Sequence, residues 1–205
     1  MFFLFQMVIR IPLLNFLPRY EWYINLMSTS IAAGIFLGLT AGIFETAGRF
    51  LGLKFILKNK QKWENGVAYG IGHGGFEAIV LIGLSSLSNI ANSMLINSGV
   101  FDSIVGAQIP QETVQALKDG LISTPPFLFL MGGLERVLVI PIHIALSLIV
   151  LYGIIKGRHV YLLYAVLLHA LLDAPVSILS MYGVSIWLIE LYVALFTVAA
   201  LIYIV

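Results

Sequence analysis

The sequence contains no cysteine, and charged residues make up only 10% of its 205 positions. Without cysteine there are no disulfide bonds and no thiolate ligands, so a bound metal ion would be held by His, Glu or Asp side chains. The formal net charge is +1 and no long basic tract occurs, which argues against a nucleic-acid partner. Internal repeats and low-complexity segments are also lacking, so we predict a single domain over residues 1–205.

Apolar residues dominate the composition instead. Hydrophobic residues account for 60% of the chain and the mean hydropathy is +1.01, well above the range of soluble domains. Apolar stretches of about 20 residues, long enough to cross the hydrocarbon core as helices, follow one another along the chain. The sequence therefore predicts an integral membrane protein of the all-α polytopic class, a bundle of about six transmembrane helices surrounded by the lipid bilayer.

The predicted spans cover residues 1–17, 22–50, 66–90, 126–155, 159–181 and 184–205. Residues 1–21 leave three alternatives open, because this segment is short and carries Arg10 and Pro12. It is a spanning helix, an interfacial helix or a signal-like segment. Pro141 predicts a kink in the fourth span.

Basic residues predict the orientation of these helices. They occupy the loop between the second and third spans and the loop between the fourth and fifth, as Lys54, Lys58, Lys60, Lys62, Lys156 and Arg158. The positive-inside bias places both loops in the cytoplasm, and an even number of spans places both termini there too. The connection over residues 91–124 is then on the other side, as either an amphipathic interfacial helix or an ordinary loop.

Pairs of polar residues interrupt the apolar stretches, with the two members of each pair four positions apart. They are Glu45 with Arg49, His73 with Glu77, His143 with Ser147, and His169 with Asp173. On a helix this spacing places both side chains on one face. A charged residue at mid-membrane costs about 2.5 to 3.5 kcal/mol on an insertion scale, so such pairs predict a functional site. A single pair of this kind can also serve only to hold two helices together.

The predicted spans place the four pairs at a similar depth. Counted at about 1.5 Å per residue from the cytoplasmic helix ends, all four lie roughly 10 to 20 Å inside the membrane. The sequence therefore predicts one shared cavity that opens toward the cytoplasm.

Three imidazoles and several carboxylates in one cavity are suited to zinc chemistry. Catalytic zinc takes three protein ligands and lowers the pKa of its bound water to about 7. His73, His143 and His169 are the candidate ligands. Glu77 is either a further ligand or a group that orients His73, and Asp173 has the same orienting relation to His169. Glu45 is the candidate general base that takes a proton from the attacking water.

Two arginines are candidates for supporting roles. Arg49 lies one helical turn from Glu45, and Arg136 follows Glu135 two turns before His143. Either arginine could bind a substrate carboxylate or stabilise an oxyanion. The spacing does not choose between them, and it also allows each arginine simply to neutralise its neighbouring glutamate.

Taken in order, these motifs resemble the YhfC-type intramembrane metalloproteases, relatives of the PrsW proteases and of the CAAX-processing and bacteriocin-protection superfamily. The matching pieces lie between about residues 34 and 175. They are Ala41-Gly42-Ile43-Phe44-Glu45 with Gly48-Arg49, Gly70 through Glu77, Glu135-Arg136, Pro141-Ile142-His143, and His169 with Asp173. Related proteins often have two adjacent glutamates in the first motif, whereas Thr46 follows Glu45 here, which leaves open which acid is the base.

The resemblance implies hydrolysis of a peptide bond in a membrane-associated peptide or protein, in a bacterial plasma membrane. It leaves two chemistries open, one with zinc and one in which Glu45 and His73 activate water without a metal. A proton- or metal-coupled transporter is an alternative, because chains of Asp, Glu and His also mark ion pathways. The lack of an inverted repeat argues against it. A non-catalytic scaffold or immunity factor with the same fold is a further alternative.

Overall fold

A computed structural model describes all residues 1–205, and they form helices with no β-strand. The helices are α1 (Phe3–Arg10), α2 (Ile11–Phe16), α3 (Glu21–Met27), α4 (Ser30–Ile56), α5 (Trp63–Asn97), α6 (Phe101–Ile104), α7 (Gln111–Ser123), α8 (Pro126–Lys156), α9 (Val160–Met181) and α10 (Ile186–Ile204). The helix α1, the last turn of α4 and a turn within α5 are wound as π-helix. The predicted all-α polytopic class is confirmed.

Five helices, rather than about six, are long and apolar enough to cross a membrane. They are α4, α5, α8, α9 and α10. The amino-terminal segment is helical as well, but α2 passes into a 3₁₀ turn at Leu17–Arg19. Pro18 supplies no backbone N–H there, so the regular helix ends before it reaches the length of a full span. Within the connection over residues 91–124, the helical alternative is the one observed, as α7.

The helices cluster into two compact units, Met1–Glu77 with Val137–Val205, and Ala78–Arg136. In the second unit Phe101 and Val114 are buried, and Lys118 Nζ donates a hydrogen bond of 2.6 Å to Asp102 Oδ2. The predicted single domain over residues 1–205 stays a prediction. All four polar pairs lie in the first unit.

Glycines on one face of α4 allow α9 to lie directly against its backbone. A Cβ atom built at Gly38 would lie 2.8 Å from the backbone nitrogen of Ala174, and one at Gly42 would lie 2.7 Å from the carbonyl oxygen of Val166. Real Cβ atoms do not come so close to a neighbouring backbone, so any larger residue would push the helices apart. Small residues at intervals of four are a common means of close helix packing in membranes. This contact brings the face of α4 that carries Glu45 against the face of α9 that carries His169.

The contact between α5 and α8 also depends on glycine. A Cβ atom at Gly70 would collide with the backbone of Ile144, and one at Gly74 would lie 2.9 Å from the His143 ring. Between these two glycines, α5 carries His73. The close approach therefore places His73 beside His143.

Two side-chain hydroxyls of α10 donate hydrogen bonds to backbone carbonyls that lie near the prolines of α9 and α8. Pro175 has no N–H for the carbonyl of Leu171 four residues earlier, and Tyr192 donates a hydrogen bond of 2.5 Å to that oxygen. In the turn before Pro141, Thr197 donates a hydrogen bond of 2.7 Å to the carbonyl of Leu138. These two bonds attach α10 to α9 and α8 next to the helix segments that carry His169 and His143.

Candidate active site

A cluster of buried polar side chains lies inside the first unit. Glu45, Arg49, His73, Glu77, His143 and His169 are all buried. Asp173 is the exception, because its side chain is 34% exposed. These residues come from α4, α5, α8 and α9, which the glycine contacts hold close together. The predicted convergence of the polar pairs is therefore observed.

Glu45 lies at the centre of the cluster. Its Oε2 atom is 3.0 Å from Nη2 of Arg49 and 3.2 Å from Nε2 of His73, and both groups donate hydrogen bonds to it. The same oxygen lies 3.6 Å from Nδ1 of His169 and 3.9 Å from Nδ1 of His143. One carboxylate oxygen is thus surrounded by an arginine and three imidazoles.

Arg49 fixes the tautomers of two of these imidazoles. Its Nη2 atom lies 2.6 Å from Nδ1 of His143, and its Nη1 atom lies 3.4 Å from Nδ1 of His169. A guanidinium only donates hydrogen bonds, so both Nδ1 atoms must accept and the ring protons are assigned to Nε2.

The two Nε2 atoms each face a carboxylate, in agreement with that assignment. Nε2 of His143 lies 3.0 Å from Oε2 of Glu77, and Nε2 of His169 lies 3.2 Å from Oδ2 of Asp173. Each imidazole is therefore held between Arg49 and an acid. The acid that faces His169 is the one predicted to orient it. Glu77, by contrast, faces His143 on another helix, although the sequence related it to His73 on its own helix.

His73 is held differently from the other two imidazoles. Its Nε2 atom donates to Glu45, while its Nδ1 atom is buried without a hydrogen-bond partner. The ring of Phe2 meets the His73 ring edge to face at a centroid distance of 5.6 Å, and the ring of Tyr69 lies 6.1 Å away. The free lone pair of Nδ1 is available to a ligand or a metal ion.

Gln6 belongs to the same cluster and was missed by the sequence interpretation. Its Nε2 atom donates a hydrogen bond of 2.6 Å to Oε1 of Glu45, the carboxylate oxygen that the imidazoles do not contact. Arg10 fixes the orientation of this amide, because Nη1 of Arg10 donates to Oε1 of Gln6 at 3.1 Å. Arg10 is itself anchored on the Leu37 carbonyl at 2.8 Å. Gln6 and Arg10 are four residues apart in an apolar segment, the same spacing that revealed the other pairs.

Four of these side chains have the arrangement of a metal-binding group. Glu45, His73, Glu77 and His143 each offer one ligand atom, and these atoms all lie within 4.8 Å of one another. Ligands bound about 2.1 Å from a tetrahedral zinc ion lie roughly 3.4 Å apart, so coordination would require small movements and the release of the His143 ring from its hydrogen bond with Arg49. The two nitrogen and two oxygen donors fit zinc, and the buried, unpartnered Nδ1 of His73 agrees with a missing ligand.

Three predicted members of the site lie differently from the rest. His169 is absent from the compact donor group, and Arg49 and Asp173 face its two nitrogens. Ser147 donates to the carbonyl of His143 at 2.7 Å, an ordinary bond within one helix. Arg136 belongs to the second unit, where its guanidinium contacts Glu135.

Comparisons with known proteins identify a family and a relative of the chain. The model of a family described as YhfC intramembrane metalloprotease matches residues 1–193 of the chain, including the amino-terminal helices that lay outside the motifs seen in the sequence. A membrane protein, YhfC of Bacillus subtilis (strain 168), is 42% identical over 142 residues. The aligned region covers 69% of the chain and 55% of that relative, so the chain spans about half of the relative's length. No solved structure matches.

Proposed function

Since the chain belongs to the YhfC intramembrane metalloprotease family, we propose that it hydrolyses a peptide bond in a membrane-associated peptide or protein substrate. The observation that carries this proposal is the buried Glu45 carboxylate, with one oxygen among an arginine and three imidazoles. Hydrolysis of an amide requires a base for water and a positive group for the developing oxyanion. The site holds both within one cluster of contacts.

Glu45 is the proposed general base. A carboxylate serves as a base when it is ionised and fixed in direction. Arg49 and His73 donate to its Oε2 atom, and Gln6 donates to its Oε1 atom. These donors favour the ionised form and leave the carboxylate a single orientation. Arg49 is also the proposed oxyanion stabiliser, because its guanidinium lies beside the same carboxylate oxygen.

Zinc is the proposed cofactor. When bound, it would polarise the scissile carbonyl and acidify a water molecule. The compact donor group supports His73, His143 and Glu77 as the residues that hold it. The sequence proposed His169 as the third nitrogen ligand, and that role stays a proposal. The contacts of His169 with Arg49 and Asp173 equally support a role in holding Arg49 in place.

A metal-free peptidase is the second candidate, and one observation favours it. The Arg49 guanidinium already lies against Glu45, His143 and His169, where it supplies a positive charge at the centre of the site. In this variant Glu45 and His73 activate water, and Arg49 stabilises the oxyanion. For Arg136 the two proposed roles are unchanged: it binds a substrate carboxylate or stabilises an oxyanion.

The protein is an integral membrane protein with a bacterial relative, and we propose that it resides in the bacterial plasma membrane. The lysines after α4 and the basic residues between α8 and α9 support cytoplasmic positions for both loops. Both termini are then proposed to be cytoplasmic if α1 and α2 cross together. Contacts of α1 along α4, from Gln6 on Glu45 to Arg10 on Leu37, support this crossing.

The test is cleavage of membrane-anchored peptides by the purified protein in proteoliposomes, with zinc supplied. We expect Glu45→Gln to lower the rate by about 100-fold or more, because the base is lost while size and hydrogen bonding are nearly kept. Ser147→Ala is the matched control, a buried polar residue one turn from His143 that lies outside the donor group. Undiminished cleavage by both Glu45→Gln and His143→Ala would exclude this cluster as the site of hydrolysis.

A further inference from the structure

A cavity of about 300 Å³ lies directly against His73. Its other lining residues are Met1, Phe2, Phe3, Tyr69, Gly72 and Phe76. This volume lies at the lower end of the roughly 300 to 1,000 Å³ that is typical of ligand pockets. The proposed function makes no use of the cavity, although His73 belongs to both.

The walls of the cavity are aromatic. The Phe76 ring meets Phe2 at a centroid distance of 6.3 Å and Phe3 at 6.5 Å, in edge-to-face geometry. Tyr69 contributes its ring, while its hydroxyl donates to the Gly48 carbonyl at 3.2 Å. No charged side chain lines the cavity. Walls of this kind bind aromatic and large aliphatic groups through burial and ring contacts.

The cavity adjoins the catalytic cluster at a single side chain, His73. The His73 ring lines the cavity, and its Nε2 atom lies 3.2 Å from Oε2 of Glu45. A peptide whose scissile carbonyl lies at Glu45 would therefore have a neighbouring side chain within reach of the cavity. Because the cavity and Glu45 are so close, a substrate side chain in the cavity would lie next to the bond that is cut.

Gly72 keeps the cavity open. Gly70 and Gly74 on the same helix are required for packing, since a Cβ atom at either would collide with α8. A Cβ atom at Gly72 would meet nothing within 4 Å, so helix packing does not require glycine there. The missing side chain instead leaves space in the cavity wall.

We propose that this cavity is a specificity subsite for a large apolar or aromatic substrate side chain adjacent to the scissile bond, with Gly72 setting its size. The inference rests on the proposed peptidase function and adds the class of substrate residue. A larger side chain at position 72 would project from the wall into the subsite and reduce its volume without disturbing the helix contacts. The cleavage preference should then move toward small residues.

The experiment compares Gly72→Leu with Gly75→Leu in proteoliposomes. Gly75 is the matched control, because a Cβ atom there also meets nothing within 4 Å and the residue does not line the cavity. The probe is a mixture of acylated peptides that place Gly, Ala, Leu, Met, Tyr or Phe at each position, with cleavage positions identified by mass spectrometry.

We expect wild type and Gly75→Leu to cut next to the four large residues at least about tenfold faster than next to Gly or Ala. Gly72→Leu should lower that preference about tenfold while it still cuts next to the small residues. A preference in Gly72→Leu equal to that of the wild type, at comparable total cleavage, overturns the subsite and leaves the peptidase function intact.

A binding measurement separates the subsite from the chemistry. In the Glu45→Gln background, an acylated peptide carrying 4-fluorophenylalanine is followed by ¹⁹F NMR in the same vesicles. We expect broadening of its signal, and at least a tenfold weaker effect when Gly72→Leu is added. If no variant hydrolyses any peptide, this result alone decides the subsite. Equal broadening with and without Gly72→Leu, or none at all, overturns it.

Discussion

Arg49 is the residue on which the electrostatics of the cluster depend. Its side chain is fully buried, and the guanidinium contacts Glu45, His143 and His169. A charge removed from water is stable only when charges and hydrogen bonds compensate it. Arg49 and Glu45 therefore stabilise each other, and each is costly to the protein without the other.

This interdependence predicts the outcome of a double-mutant cycle. Arg49→Met should destabilise the protein by about 3 to 5 kcal/mol, because it leaves the Glu45 carboxylate buried without its cation. The double variant Arg49→Met with Glu45→Gln should recover a large part of that loss. Thermal or denaturant unfolding in detergent measures all four proteins. Additive effects of the two substitutions would show that the pair is not coupled.

Gln6 has a different role, which concerns orientation rather than charge. Its amide holds Oε1 of Glu45 at 2.6 Å and is itself held by Arg10. We expect Gln6→Met to lower kcat by about 10- to 100-fold with KM little changed, the equivalent of one hydrogen bond to a charged group. Asn15→Leu is the control, an exposed polar residue in the same amino-terminal region. An unchanged kcat in Gln6→Met would assign Gln6 to packing alone.

Much of this candidate site could be predicted from sequence spacing. Helical periodicity and the cost of polar groups in hydrocarbon can both be read from a single stretch of the chain. Glu45, Arg49, His73, Glu77, His143, His169 and Asp173 were singled out in this way and are brought together. The partner of each residue across helices was not predictable. Glu77 faces His143 rather than His73 because glycines set the register of α5 on α8, and no single helix encodes that register.

At the scale of the elements, α10 is attached to α9 and α8 by two hydrogen bonds from side-chain hydroxyls. Tyr192 donates to the Leu171 carbonyl, which Pro175 leaves without its usual donor. We expect Tyr192→Phe to lower the free energy of unfolding by about 1 kcal/mol, because interhelical hydrogen bonds in membranes are of that size. Tyr182→Phe, at an exposed tyrosine in the turn after α9, is the control. Equal stability of both variants would show that the hydrogen bond from Tyr192 to the Leu171 carbonyl does not stabilise the protein.

The amino-terminal element shows where sequence reasoning ends. Composition left residues 1–21 as a span, an interfacial helix or a signal-like segment. The structure shows α1 packed along α4, with Gln6 in the cluster, and the three alternatives stay predictions. A short helix has too few residues for a clear periodic pattern. Its position depends on contacts such as Phe5 against Gly48, which become visible only when the helices are assembled.

The orientation of the spanning helices can be tested directly because the natural chain has no cysteine. Lys60→Cys and Val205→Cys introduce thiols at two positions that the lysine bias predicts to be cytoplasmic, and Ser98→Cys introduces one on the opposite side of the membrane. In intact bacteria a membrane-impermeant maleimide should label only Ser98→Cys. Permeabilised cells provide the control, in which all three should react. Labelling of Lys60→Cys in intact cells would reverse the proposed orientation.

For the molecule as a whole, the decisive question is what occupies the centre of the cluster. Two ligand sets are available, and they share His73 and His143. The sequence adds His169, whereas the compact donor group adds Glu77, and its fourth member, Glu45, is the proposed base. In the structure the two nitrogens of His169 face Arg49 and Asp173. The two sets therefore predict different results for the same substitution.

Metal analysis of the purified protein distinguishes them without any substrate. After zinc loading and dialysis, we expect about one zinc per chain in the wild type and in the Ser147→Ala control. His73→Ala and His143→Ala should lose it under either ligand set. His169→Ala should retain most of it, because its contacts hold Arg49 rather than complete the compact donor group.

Loss of zinc in His169→Ala as well would restore the three-histidine set predicted by the sequence. Arg49 would then have to leave Nδ1 of His169 as well as Nδ1 of His143, whereas the compact donor group requires it to leave His143 only, since a guanidinium and a metal cannot share one lone pair. If neither the wild type nor any variant binds zinc, Arg49 alone would supply the positive charge at the centre of the cluster. The metal-free pairing of Glu45 with His73 would then be the chemistry to test with the peptide substrates.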